Sequence, residues 1–283
     1  MPELPEVETV RRGLVHARLR EPVVSIWRSE QSLRIGAAWR REHEHLDRLI
    51  GTRPGRLRRR GKYLLWTFTV ADAADWTLLL HLGMTGRCDV VTPEIDLLPH
   101  THLRLGLACQ RELRFVDPRR FGGLRVDRAR ALERAPPLSE LGPEPLARGF
   151  DGARLAQRGG RSRRPIRDVL LDQRVVAGVG NIYAVEVLYA ARIHPLRSAS
   201  DLGPLDWDRV ARCLVELLRT AIRNKGTTLR DYRRPGGAPG RHATRLRVYG
   251  REGERCTTCG TVLVGFTSGG RRGVFCPHEQ PAS

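Results

Sequence analysis

The feature that most limits what this chain can become is that its hydrophobic rhythm changes twice. Val7, Val10 and Leu14 recur at helical spacing, with Pro5 and Glu6 where a first turn favours them. This spacing predicts a helix over 5–17. The period then drops to two. "VVSIW", "KYLLWTFTV", "WTLLLHL", "HLRLGLA", "ELRFVD" and "GGLRVD" read as short strands rich in β-branched and aromatic residues. In "HLRLGLA", Leu103, Leu105 and Leu107 should face one way and His102 and Arg104 the other. A Pro-rich stretch, "RAPPLSELGPEPLARG", reads as a linker. Helical spacing returns in "RPIRDVLLDQ", in "NIYAVEVLYAARI" and above all in "LDWDRVARCLVELLRTAIRNKG". There Val210, Leu214, Leu217, Leu218, Ala221 and Ile222 form one stripe that Gly226 ends. "RRPGGAPGRH" reads as a mobile loop, and no internal repeat is present. The expected class is α+β and multidomain: an N-terminal β-sandwich with an N-terminal helix, a helical domain and a small C-terminal β-hairpin module. The expected boundaries are 1–130, a linker at 131–150, 151–240, and 246–283.

Charge narrows the partner. Fifty Lys and Arg against thirty-one Asp and Glu give +19. An Arg-rich genome explains Arg over Lys but not this excess. A polyanion is therefore expected, nucleic acid before membrane, because arginine's planar fork suits phosphate. No apolar run is long enough to span a bilayer. The opening "MPELPEVETV" lacks the basic and apolar regions of a signal peptide, so a cytoplasmic protein is expected.

Of six cysteines, Cys88, Cys109 and Cys213 stand apart and read as small buried side chains. Cys256, Cys259 and Cys276 cluster in "CTTCG" and "FCPHEQ". The spacing is C-x2-C-x16-C-x2-E, with Glu279 where a four-cysteine zinc ribbon has its last thiolate and His278 beside it. Zinc accepts sulfur, imidazole nitrogen and carboxylate oxygen, so Glu279 or His278 could complete a tetrahedron. The alternative is a hairpin that keeps its shape without metal.

Four further stretches carry chemistry, each beside a plainer reading. "VAGVGNIYAVEV" puts Gly178 and Gly180 before Asn181 at a helix start, where backbone N–H groups bind anions; the alternative is an ordinary cap. "DPRRFGG" puts Arg119 and Phe121 on a turn, and "HLGMTG" does the same for Met84. These side chains could wedge into a duplex or simply pack. "RRRGKYLL" sets Lys62 at a strand entrance beside Arg58, Arg59 and Arg60, which could also be a solvated basic edge. At the front, Met1 is expected to be removed, baring Pro2 as a secondary amine. The amine would titrate near pH 8, lower at a helix's positive end, and form a Schiff base with an aldehyde-level carbon. Glu3 and Glu6 are near enough in sequence to move protons for it. The plain reading is a Pro-capped helix with acidic residues in its first turn.

Taken in order, "PELPEVETVRRGL", "RRRGKYLL", "HLGMTG", "DPRRFGG", "LGPEPL", "GVGNIYAVEVLYAARIHP", "KGTTLRDY", "VYGREGERC" and "FCP" resemble the bacterial formamidopyrimidine-DNA glycosylase family, within the Fpg/Nei superfamily. The resemblance runs from end to end. It implies a β-sandwich, a helix–two-turns–helix domain and a zinc finger, acting as a bifunctional glycosylase and AP lyase on oxidised purines in duplex DNA. It further implies that Pro2 attacks C1′, that Glu3 moves protons at the sugar, and that Lys62 assists at the ring oxygen and in β-elimination. Arg271, with Arg272 as the alternative, resembles the finger arginine that grips phosphate and helps δ-elimination. Asn181 would hold a phosphate; Met84, Arg119 and Phe121 would fill the gap left by the flipped base; His100 and Arg163 match further DNA-contacting positions. Two departures stand out: Glu279 replaces the last cysteine, and Arg167 stands where many members carry Lys, a change that keeps the charge. The rival expectations are a Nei-like glycosylase for oxidised pyrimidines and a non-catalytic binder of damaged DNA on the same scaffold. The partner expected is double-stranded DNA with oxidised bases, bound by a monomer near the nucleoid.

Overall fold

A computed structural model of the chain describes residues 2–33, 45–70, 73–227 and 240–282. Its contacts divide it into two compact units, Met1–Ser139 with Asn224–Arg241, and Glu140–Arg223 with His242–Ser283.

The first unit opens with α1, Leu4–His16. The helix starts one residue earlier than its apolar spacing implies, because Glu3 and Glu6 form a capping box that fixes the first turn. Among the described residues eight strands follow: β1 Val23–Arg28, β2 Arg53–Arg60, β3 Tyr63–Val70, β4 Ala73–His81, β5 Arg87–Val91, β6 Thr101–Leu107, β7 Arg111–Val116 and β8 Gly123–Asp127. They form two four-stranded antiparallel sheets, ordered β1-β6-β7-β5 and β2-β3-β4-β8. Leu64, Phe68, Leu78, Leu80, Leu103, Leu105, Phe115 and Val126 share one core with Val7, Val10 and Leu14 of α1. This is the expected sandwich with its helix. Two strands have no clear apolar signal. β2 is "RPGRLRRR", whose buried positions are Pro54 and Leu57 on either side of a register shift. β5 buries Cys88 alone. The expected outward face of β6 is also covered: His102 is buried, bonded to Ser29 Oγ at 2.9 Å through Nδ1 and to the Asp117 carbonyl at 3.0 Å through Nε2. Of the lone cysteines, Cys88 is buried, while Cys109 and Cys213 are half-buried.

β2 and β3 are joined by the two-residue turn Gly61-Lys62, with Arg60 paired to Tyr63. Gly61 takes a φ of 56°, which such tight hairpins reserve for glycine. That turn places Lys62. After β8 a short helix, α2 Ala129–Arg134, leads into the Pro-rich stretch, which is less a loose tether than its composition implies. Gly142 donates to the Gln173 carbonyl at 2.8 Å, and a Cβ there would lie 2.5 Å from the Arg174 carbonyl oxygen.

The second unit holds α3 Gly152–Gly159, α4 Ile166–Leu171, α5 Asn181–Ala190 and α6 Pro204–Arg223. α5 is buried on every side from Ile182 to Tyr189. α6 buries the anticipated stripe apart from Leu217, which is half-buried. It stops at Arg223, ahead of Gly226. The hairpin β9 Val264–Ser268 and β10 Arg271–Phe275 follows. Its turn residues Gly269 and Gly270 have φ of 52° and 70°, the tight type I′ pattern. Most of "RRPGGAPGRH", and of "KGTTLRDY" before it, lies outside the described residues. Among the described residues no helix is long and apolar enough to cross a membrane.

Candidate functional site

Three groups of side chains in the first unit carry chemistry. At the front, Pro2 and Glu3 are buried at the N-terminus of α1. Glu6 is engaged by the backbone. Its Oε2 accepts from the Glu3 N–H at 2.8 Å, and its Oε1 accepts from the Thr227 N–H at 2.7 Å. Both oxygens are held by backbone donors, so Glu6 fixes the Pro2–Glu3 segment. Gly226, with φ of 80°, allows this approach: a Cβ there would lie 2.9 Å from Glu6 Oε1.

The second group surrounds Lys62, which is buried despite lying on a turn. Close by is His81, the last residue of β4. Burial first, then the charge of Lys62, pushes its pKa down to about 3. Its Nδ1 accepts from the Gly83 N–H at 3.0 Å, so the ring is neutral with its proton on Nε2. Tyr63 packs on the ring at 4.8 Å, and burial raises its phenol to about 12.

The third group comprises two turns fastened together. Asp117, fully buried, accepts from the Thr85 hydroxyl through Oδ1 and from the Gly122 N–H at 2.7 Å through Oδ2. Thr85 in turn accepts from the Arg119 N–H at 3.2 Å. Gly83, at φ of 62°, sits so close to Phe121 that a Cβ would fall 2.3 Å from its carbonyl carbon. Met84, Arg119 and Phe121 are thus presented side by side. Met84 and Phe121 are half-buried, Arg119 is exposed, and its guanidinium lies 4.7 Å from the Phe121 ring centre. His100, exposed at φ of 66°, lies apart from this trio in sequence, just ahead of β6.

In the second unit, Gly180 caps α5 and Asn181 is its first residue. Asn181 Nδ2 donates to the Arg272 carbonyl at 2.9 Å, and its Oδ1 accepts from Arg167 at 2.6 Å. The helix start and the hairpin turn are therefore tied. The two candidate arginines separate here. Arg272 is committed to a bidentate pair with Glu252, at 2.7 and 2.6 Å. Arg271 is exposed and its side chain makes no hydrogen bond or ion pair among the described residues. Arg163 is exposed on the loop before α4 and is not drawn into this group.

Cys256, Cys259 and Cys276 bring their sulfurs within 4.8 Å of one another, and Cys259, His278 and Glu279 do the same with their ligand atoms. Cys259 and Cys276 sulfurs are 3.5 Å apart. Two thiolates each about 2.3 Å from one tetrahedral ion stand roughly 3.8 Å apart, so the spacing suits a shared metal. The Thr258 and Glu279 N–H groups point at Cys256 and Cys276 sulfur at 3.5 Å, and the Tyr189 hydroxyl meets Cys256 at 3.2 Å. Burial raises the Cys256 thiol, but the Tyr189 and backbone hydrogen bonds outweigh it and bring the group to about 6. The cluster can hold one metal ion. Glu279 is 10 % exposed and His278 68 %, which favours the carboxylate as the enclosed donor.

Sequence reasoning missed His81, Asp117 and Glu186. Glu186 is buried in α5 and accepts from the Arg247, Val248 and Tyr249 N–H groups at 2.8–3.0 Å, which anchors the approach to the cysteine cluster. A polar residue inside an otherwise apolar run was the signal for His81 and Glu186. Nothing marked Asp117, because a turn aspartate is commonplace.

Comparison with known proteins gives a consistent result. The family model for the formamidopyrimidine-DNA glycosylase N-terminal domain matches residues 1–124, and that for the formamidopyrimidine-DNA glycosylase H2TH domain matches 141–233. A formamidopyrimidine-DNA glycosylase of Stenotrophomonas maltophilia is 43% identical over 280 residues, covering 99% of this chain and 100% of the relative. The crystal structure of the MutM (Fpg) protein from Thermus thermophilus is similar at TM-score 0.86 and 38% identity, over 100% of both chains. The wild-type Lactococcus lactis Fpg in complex with DNA containing N7-benzyl-Fapy-dG is similar at TM-score 0.88 and 32% identity, over 99% of this chain and 100% of that one.

Proposed function

The chain belongs to the formamidopyrimidine-DNA glycosylase family, and from that premise we propose how its residues perform the work. It is a DNA glycosylase that excises oxidised purines, with the AP lyase activity typical of the family. The observation that carries the assignment of roles is the doubly held Glu6 carboxylate, which fixes Pro2 and Glu3 at the positive end of α1. With Met1 removed, the neutral Pro2 nitrogen attacks C1′ of the flipped nucleotide. The bond from C1′ to the base breaks, its electron pair leaves with the base, and the base takes up a proton. The Pro2 nitrogen gives up its proton to Glu3, its freed lone pair opens the C1′–O4′ bond, O4′ takes up a proton with the help of Glu3 and Lys62, and Pro2 is left joined to C1′ as an iminium. The iminium acidifies C2′. Loss of that proton expels the 3′ phosphate, a second elimination expels the 5′ phosphate, and water then releases Pro2. The base must leave the stack before any of this. Met84, Arg119 and Phe121 fill the hole; the Arg119–Phe121 stacking and the close approach of Gly83 to Phe121 support that role.

Asn181 and Arg271 hold phosphate, with His100 and Arg163 as further contacts. Arg271 is preferred to Arg272 because Glu252 already occupies the latter. Cys256, Cys259, Cys276 and Glu279 suit one zinc ion of structural type, which would brace the hairpin that carries Arg271. The partner is double-stranded DNA containing oxidised bases, met by a monomer in the cytoplasm; the +19 charge supports a polyanion. Borohydride trapping on duplex DNA containing 8-oxoguanine opposite cytosine tests the reading. We expect a covalent protein–DNA band that is lost in Pro2→Gly, and weaker trapping on thymine glycol. A band of equal strength in Pro2→Gly would remove Pro2 as the nucleophile.

A further inference from the structure

We propose that Arg167 is a positioning residue: it sets which face Asn181 presents to DNA. The inference rests on the reading of Asn181 as a phosphate-holding residue. Arg167 is fully buried in α4. Its Nη1 donates to Asp168 Oδ1 at 2.6 Å and to the Ser268 carbonyl at 2.9 Å; Nη2 donates to Asn181 Oδ1 at 2.6 Å and to the Arg271 carbonyl at 3.2 Å. Ser268 and Arg271 flank the Gly269-Gly270 turn, so the fork spans the base of that turn. Asp168 also accepts from the Ser268 hydroxyl, and a Cβ on Gly269 would lie 3.5 Å from the Asp168 carboxylate. The turn, the helix start and the fork are one assembly.

The consequence for Asn181 is chemical. An amide can turn either its oxygen or its nitrogen outward. Because Arg167 is a donor, Oδ1 is bound to it, and Nδ2 must take the other side. One Nδ2 hydrogen goes to the Arg272 carbonyl, and the second remains to meet an acceptor such as a phosphate oxygen. A flipped Asn181 would present a lone pair to an anion. Arg167 is not explained by stability alone, since its Nε is buried without a partner. Nor is charge the relevant property. A lysine keeps the charge but replaces a planar fork with a single point, and it cannot reach four acceptors in one plane.

A double-mutant cycle on binding to duplex DNA carrying a tetrahydrofuran abasic analogue tests this, with thermal unfolding measured alongside. We expect Asn181→Ala and Arg167→Met each to raise Kd about 10-fold or more, the effect of one charge-assisted hydrogen bond. We expect the double variant to be no worse than the poorer single one, because Arg167 acts through Asn181. Multiplying effects, or a lowered unfolding temperature with unchanged Kd in Arg167→Met, would overturn the proposal while leaving Asn181 as a phosphate ligand. An unchanged Kd in Asn181→Ala would overturn both. Should Arg167→Met not fold, Arg167→Lys takes its place: a raised Kd that does not multiply with Asn181→Ala supports the proposal, and wild-type binding refutes it.

Discussion

His81 shows how one buried ring can govern acid behaviour. Its folded pKa of about 3 lies below the unfolded value near 6.5. Above pH 6.5 the ring is neutral in both states and the fold carries no penalty. As pH falls below 6.5 the unfolded chain takes a proton that the folded one refuses, so stability declines until about pH 3. We expect a loss of about 2 kcal/mol between pH 7 and 5 from this group, read by urea denaturation, and a shallower decline in His81→Gln. NMR should show the ring neutral at pH 5, with its proton on Nε2; protonation with a midpoint at 6 or above would contradict the Gly83 N–H contact. At this scale the sequence revealed residue types more readily than their duties. Pro2, Lys62 and Asn181 stood in telling runs. Glu6 and Arg167 were visible too, but their duties depend on partners 221 and 104 residues away, Thr227 and Arg271, which no local pattern encodes.

Among elements, the two fastened turns bear the heaviest constraint. Asp117→Ala would strip partners from the Gly122 N–H and the Thr85 hydroxyl in a buried setting. We expect a loss of about 2–4 kcal/mol in stability, seen in denaturant midpoints. Gly83→Ala meets both a positive φ and the Phe121 backbone. We expect it to displace Met84 and Phe121 and to slow base excision more than it weakens binding to abasic duplex, where no base remains to be extruded. Equal effects on both would argue against a wedge. Of the legible strands, β1, β3, β4, β6, β7 and β8, it is β3, β4 and β6 that bury long apolar runs. β2 escaped because five arginines, a proline and a glycine leave only Pro54 and Leu57 to bury, too few to show an alternating apolar pattern.

At the level of the whole molecule, charge and metal make separable predictions. If six or more phosphates are neutralised, affinity should fall about 10³-fold between 50 and 200 mM salt. Filter binding across salt would show it, and a flat response would refute phosphate gripping. Purified protein should contain one equivalent of zinc, removable by chelator, and Glu279→Ala should lower its retention. Under a tenth of an equivalent would exclude a tightly held ion. On removal of zinc we expect δ-elimination to suffer before trapping does, since Arg271 rides on the hairpin while Pro2 belongs to the first unit. The two-part rhythm of the sequence foretold a sandwich followed by helices. It could not foretell that 224–241 would group with the sandwich, because contacts between distant segments leave no periodic trace.

The bond from the Thr227 N–H to Glu6 has a consequence for biosynthesis. A ribosome releases residue 6 on the order of tens of seconds before residue 227 at ordinary elongation rates. For all that time the nascent chain lacks the amide that completes the grip on Glu6. A chain cut short before Thr227 would therefore hold Glu6 by the Glu3 N–H without its distant second donor.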